Sequence, residues 1–174
     1  MPLETWGASA LEIASDMPGD GLIAAPSMSA TRSIDLDAEP SEVFGWLTQM
    51  GFGRAGWYSY DLIDNLGRRS ARRIVPQWQV RAAGETVPGG PMVSFSVAVF
   101  DPHRAFVLAV LDRRLVGHRI DFTLAYRLDA PGGGRAGTRL VSRARASVLG
   151  PLGRPASWLL GIGDGLMVRR QLLG

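Results

Sequence analysis

The chain of 174 residues has no cysteine, no lysine, only two histidines and no long apolar run. Without cysteine there is no disulfide, no thiolate nucleophile and no sulfur ligand for a metal. A zinc or iron site would need both His103 and His118 together with carboxylates, and these histidines fall in a turn and at a strand entrance, so no metal is expected. No segment is long and apolar enough to span a bilayer, and the start "MPLETWGASA" lacks the basic and apolar regions of a signal peptide. These features point to a cytoplasmic protein with no membrane insertion. Nothing forms the set of nucleophile, base and orienting group that a hydrolase needs, which leaves enzymatic activity open.

All 19 basic residues are arginine. Guanidinium suits phosphate, but most of these arginines are scattered through strands and loops instead of lining one helix, so nucleic acid is not an expected partner. The charge is unevenly spread. Residues 1–30 hold Glu4, Glu12, Asp16 and Asp20 with no base, while the chain as a whole carries +3. With 46% hydrophobic and 20% charged residues, the composition is that of a globular protein with one core, which at this length buries roughly 70% of its unfolded surface.

"SALE" (Ser9–Glu12) has the spacing of a capping box and opens a short helix, which Pro18 and Gly19 end. "TRSIDLDA" alternates, with Ile34 and Leu36 on one face, and reads as a half-buried strand. Pro40 suits a first helical turn, Glu42 favours the helix N-terminus, and Val43, Phe44, Leu47 and Met50 make an apolar stripe. Ser59 is placed to cap a second short helix in "YDLIDNL", with Gly67 at its end. An arginine-rich loop then enters an extended segment at Ile74–Gln79.

The second half carries strand signals. "MVSFSVAVF" and "AFVLAVL" are joined by the turn "DPHR" as a hairpin. In "RIDFTLAYRLD", Phe122, Leu124 and Tyr126 fall on the inward face. "TRLVSRARASV" places Arg139, Arg143 and Arg145 on one face, and Leu140, Ser142, Ala144 and Ala146 on the other. Serine and alanine fill little volume, so this inner face must receive either a closely packed C-terminal helix or a ligand. The segment from Pro155 onward has the apolar content of such a helix, weakened by glycines. This order is an α+β arrangement.

Several stretches together resemble the SRPBCC superfamily (START-like, helix-grip fold), in its polyketide cyclase/dehydratase-like bacterial branch. They are "WGAS", "PGD", "TRSIDLDAEPSEVFGWLTQMG", "GWYSYDLIDNLG", "RIVPQWQ", "TRLVSRARA" and the final "MVRRQLLG". Gln77 and Glu85 depart from the branch, where an acid and an aspartate are usual, so chemistry resting on those acids is not carried over. The resemblance implies a curved antiparallel sheet of about six to seven strands wrapped around a long C-terminal helix, with two short helices after the first strand. Residues 1–30 would be an extension whose short helix packs on a ligand-binding domain of residues 31–174.

The function implied is binding of a small hydrophobic or amphipathic molecule, lipid- or polyketide-like, in an internal cavity, with no cofactor, as a monomer or homodimer. The alternative is a cyclase or dehydratase using the same cavity. Trp57, Tyr58 and Tyr60 would stand at its mouth, where core packing is an equal explanation for the rings. Trp78, Phe122, Leu124 and Tyr126 would line it. Arg73, beside the "IVPQWQ" match, is the arginine of the 68–73 loop expected to meet the ligand, while its neighbours are expected to be solvated and paired with Asp61 and Asp64. Tyr60 and Asp61 are the candidates for handling protons, although the helix dipole alone accounts for an aspartate in a first turn.

"GFGRAG" (Gly51–Gly56) matches the spacing of a dinucleotide-binding turn, but a strand must precede such a turn, and here a helix does. The loop is expected to bind no nicotinamide or flavin. Tight NAD or FAD binding in isothermal calorimetry would contradict that assignment.

Overall fold

A computed structural model describes residues 5–59, 65–115 and 117–149. The strands are β1 (Met28–Leu36), β2 (Thr86–Gly90), β3 (Val93–Asp101), β4 (Ala105–Leu115), β5 (His118–Asp129) and β6 (Thr138–Leu149). They form one curved antiparallel sheet in the order β1-β6-β5-β4-β3-β2. Among the described residues two α-helices accompany it, α1 (Ala10–Ala14) and α2 (Pro40–Thr48), which makes the architecture α+β. Register shifts lie between Pro88 and Gly90, Val97 and Val99, and Val110 and Arg113. Each inserts extra backbone into one strand and bends it. No helix among the described residues is long and apolar enough to cross a membrane. The helix expected after Ser59 and the C-terminal helix expected after Pro155 lie outside the described residues.

Alternation gives the sheet two faces with different coverings. On the inner face, Met28 and Ala30 of β1, Ala144 and Ala146 of β6, Leu124 and Tyr126 of β5, and Phe106 and Leu108 of β4 join the core with Val43, Phe44 and Leu47 of α2. The rings of Phe44, Phe100 and Phe106 meet edge to face at 5.3 to 6.5 Å. Burying such rings is the main favourable term holding α2 on the sheet.

The outer face is covered by the chain that precedes β1. Met17 packs on Val107, Ala125 and Val141. Around this small apolar contact the β6 arginines are not solvated but engaged. The Arg143 side chain is 6% exposed. Its Nε donates to Thr31 Oγ1 (2.8 Å), Nη1 to the Ser15 carbonyl (2.9 Å) and the Asp20 carboxylate (2.6 Å), and Nη2 to the carbonyls of Glu12 (2.8 Å) and Ile13 (2.9 Å). The last two belong to the final turn of α1, whose free carbonyls attract a cation. Arg145 reaches Asp20 as well, at 2.9 Å. Arg139 pairs with Glu12 (2.8 Å) and Asp35 (3.2 Å). The acidic N-terminal segment thus answers the basic face of β6. Asp121 and Thr123 of β5, which alternate with the inward Phe122, Leu124 and Tyr126, are also buried, on this side.

Glu12 also completes the capping box: Ser9 Oγ accepts from the Glu12 amide (3.2 Å), and the Ser9 amide donates to the Glu12 carboxylate (2.7 Å). The hydrogen bond from Arg139 holds the Glu12 carboxyl down at about 2, against the opposing effect of burial.

Two elements differ from expectation. Ile74–Gln79 is not a strand. Pro76 opens a single 3-10 turn over Pro76–Trp78 after Val75 in extended conformation, and the Trp78 amide closes it on the Val75 carbonyl (3.0 Å). The edge of the sheet is instead β2, "TVPGG", whose proline and glycines hide its strand character; proline is tolerated there because an edge strand leaves some amides unused. In addition, β1 begins at Met28, inside the stretch assigned to the extension.

Replacing Arg143 with methionine keeps the bulk but removes the ion pair to Asp20 and the guanidinium donor of three carbonyls. Urea unfolding should show a loss of about 3–5 kcal/mol, the usual cost of breaking a buried pair, with faster protease cleavage within residues 5–27. The acid side has a defined sign. Because folding depresses the Glu12 carboxyl, its contribution is complete above pH ~4.5 and fades as pH falls toward 2. Thermal melts across that window should flatten in Glu12→Gln.

Candidate functional site

The C-terminal end of β1 turns through Asp37 and Ala38 into α2, and the chain leaving α2 loops back over the inner face of the sheet. A cavity of about 690 Å³ lies between these pieces. Its apolar wall is built by Leu36, Val43, Trp46, Leu47, Tyr126 and Leu140. Asp37, Glu42 and Arg72 also line it and are exposed at its rim. Half-buried Tyr58 completes the lining.

Behind Tyr58 lies a buried polar network that begins where α2 ends. Thr48 and Gln49 are both almost fully buried. Gln49 Oε1 accepts from the Val75 amide (2.8 Å), and its Nε2 donates to the Arg73 carbonyl (3.2 Å) and to Tyr58 Oη (2.6 Å). Thr48 Oγ1 lies 2.6 Å from Gln79 Oε1, and Gln79 Nε2 donates to the Gly45 carbonyl (3.0 Å). These bonds tie the 73–79 segment to the helix and satisfy polar groups that would be costly to bury alone. Burial pushes the Tyr58 hydroxyl up to about 12, partly opposed by the Gln49 hydrogen bond. The Tyr58 ring meets Trp46 edge to face at 5.7 Å, its amide donates to Ser70 Oγ (3.2 Å), and its φ is +55°, a conformation few non-glycine residues adopt.

The residues singled out from the sequence do not all converge. Tyr58 and Tyr126 line this cavity. Trp57 is buried against Phe95 at 5.6 Å, and Phe95 in turn approaches Phe122 at 6.1 Å. Leu124 is buried in the main core. Trp78 is half-buried in its 3-10 turn, away from the lining. Arg73 is exposed and contributes its main-chain carbonyl to the Gln49 network, while the lining arginine is Arg72. Tyr60 and Asp61 lie outside the described residues. Gln49, Gln79 and Trp46 escaped sequence reading. The signal for the first was the polar pair Thr48–Gln49 directly after an apolar stripe.

The Gly51–Gly56 loop is closed on itself. The amides of Gly51 and Gly56 donate to each other's carbonyls (3.0 and 3.1 Å), the Phe52 amide reaches the Pro88 carbonyl (2.7 Å), and the Gly53 amide reaches buried Asn65 Oδ1 (3.1 Å). Its glycine amides are therefore occupied by protein acceptors. At Gly56 the φ is left-handed, +78°, and a Cβ would strike Ser70 Oγ, whereas at Gly53, with φ +71°, it would meet open space.

No protein-family model and no characterised protein matches the chain. Several solved structures show a distant likeness, among them the following three. CalU16 from Micromonospora echinospora shares 15% identity, covering 82% of this chain and 74% of that one, with a TM-score of 0.42. An uncharacterised protein from Rhizobium leguminosarum shares 14%, covering 84% and 92%, at 0.45. DR_A0006 from Deinococcus radiodurans shares 16%, covering 84% and 99%, at 0.40. At these values no property passes from those proteins to this chain.

Gly56→Ala should destabilise the protein by about 1–3 kcal/mol, from backbone strain together with displacement of Ser70. Gly53→Ala, where a Cβ meets open space, should cost less. Chemical denaturation of the two variants provides the comparison.

Proposed function

We propose that this protein binds a small hydrophobic or amphipathic ligand in the cavity between α2 and the sheet. The observation that carries the reading is the cavity itself: about 690 Å³, walled by aliphatic and aromatic side chains, with charged groups confined to its rim. That distribution suits a molecule whose apolar body is enclosed and whose polar end stays wet. Burying about 300 Å² of ligand at about 25 cal/mol/Å² supplies roughly 7 kcal/mol before association costs, so apolar contact alone gives weak binding and polar groups must supply selectivity. In this reading the chain is a helix-grip domain of the SRPBCC type, acting in the cytoplasm of a bacterium on a lipid- or polyketide-like molecule. Tyr58, Tyr126 and Arg72 are the residues proposed to contact it.

A hydrophobic fluorescent dye or a medium-chain fatty acid should bind saturably. Ala71→Trp, which fills the cavity from its loop side, should abolish that binding while far-ultraviolet circular dichroism stays unchanged. Trp78→Ala should leave the affinity within about twofold, since Trp78 is not among the residues lining the cavity. Saturable dye binding retained in folded Ala71→Trp would place the ligand elsewhere.

A further inference from the structure

Among the groups lining the cavity, Tyr58 is constrained more tightly than a wall residue requires. Its backbone is held at φ +55°, its amide is fixed on Ser70 Oγ and its ring on Trp46. A sparsely populated backbone conformation beside a cavity marks a place where surrounding structure imposes a geometry. The constraint extends to the hydroxyl. Gln49 cannot turn its amide around, because Oε1 must face the Val75 amide and Nε2 the Arg73 carbonyl. What Gln49 offers Tyr58 is therefore an N–H, and Tyr58 Oη accepts it at 2.6 Å. With its oxygen occupied as an acceptor, Tyr58 has its own proton left to give, and among the described residues that proton has no acceptor. Burial holds the hydroxyl at about 12, so the proton is retained throughout the physiological range.

We propose that Tyr58 is the specificity-determining donor of the cavity, selecting an apolar molecule that carries a carbonyl-type acceptor oxygen, and that Gln49 positions it. This inference rests on the ligand-binding reading above and adds the chemical class of the ligand. The half-buried hydroxyl in an apolar wall discriminates because a ligand without an acceptor leaves the donor unsatisfied once water is excluded. The rim charges of Asp37, Glu42 and Arg72 are exposed and exert no comparable choice on the enclosed part of the molecule.

The probes are 2-undecanone and undecane, titrated by displacement of a bound hydrophobic dye from the wild type and Tyr58→Phe. The variant should bind the ketone about tenfold more weakly and the alkane within about twofold of wild type, the difference expected for one hydrogen bond in an apolar site. Infrared spectroscopy of the wild-type complex requires no variant: the ketone C=O stretch should lie below its value in hexane and return toward it in Tyr58→Phe. Gln49→Glu replaces a donating amide with an accepting carboxylate, drawing the Tyr58 proton away, and should raise the C=O frequency while the alkane still binds. A wild-type C=O stretch at the hexane value, or equal effects of Tyr58→Phe on both probes, overturns the donor assignment but leaves ligand binding standing. An unchanged frequency in Gln49→Glu overturns the positioning role. If the dye binds but neither probe displaces it, the donor assignment fails alone; if no dye binds saturably, the ligand-binding reading fails and the donor assignment with it.

Discussion

The Arg143 guanidinium joins three parts of the molecule at one point. It rises from the middle of β6, bonds across to Thr31 of β1, and closes on the end of α1 and on Asp20. A buried guanidinium is tolerable only when its donors find acceptors and its charge finds a partner, and here one side chain meets both conditions by recruiting the N-terminal segment. That segment would otherwise be a short helix of five residues with no buried side chain, too short to persist alone. With it in place, β6 can present small residues to the inner face without losing its support on the outer one. The site and the strap across the back of the sheet thus depend on the same strand.

Much of this was legible. The capping box at Ser9 and Glu12, the strand beginning near Thr31, α2 and the strands of the second half all follow from spacing and periodicity, because each is decided by residues close in sequence. The charge imbalance between residues 1–30 and the remainder was visible too. What it meant was not: an alternating Arg139, Arg143 and Arg145 looks the same whether the face is wet or covered, and the covering chain lies more than a hundred residues away. The 74–79 segment is ambiguous in the sequence because Pro76 is compatible with a strand edge and with a first helical turn alike. β2 was passed over because Pro88, Gly89 and Gly90 carry no strand propensity, and only its pairing with β3 makes it a strand.

The cavity shows the same division. Its apolar wall is foreshadowed by the α2 stripe and by the alternation of β5 and β6. The polar network behind it is not, since Gln49, Gln79 and Tyr58 are brought together by the fold of a loop and not by a repeating pattern. Trp78 and Arg73 stand out by size and charge, yet the polar network takes in the half-buried Gln79 side chain and the cavity rim takes Arg72. Which of two neighbours around a tight turn meets the network or the rim is set by the path of the loop, and no periodic pattern encodes it.

The sheet's two borders are met by chain from opposite ends of α2's neighbourhood. At β1 the Ser33 amide donates to the Trp6 carbonyl (3.1 Å), and at β2 the Pro88 carbonyl accepts from the Phe52 amide (2.7 Å), beside a proline nitrogen that has no hydrogen to offer. Open strands template the addition of further strands, whether from another copy or from a misfolded chain. Here a second strand arriving at either position would first have to displace a hydrogen bond already made, so these same contacts give the protein a built-in resistance to edge-to-edge aggregation.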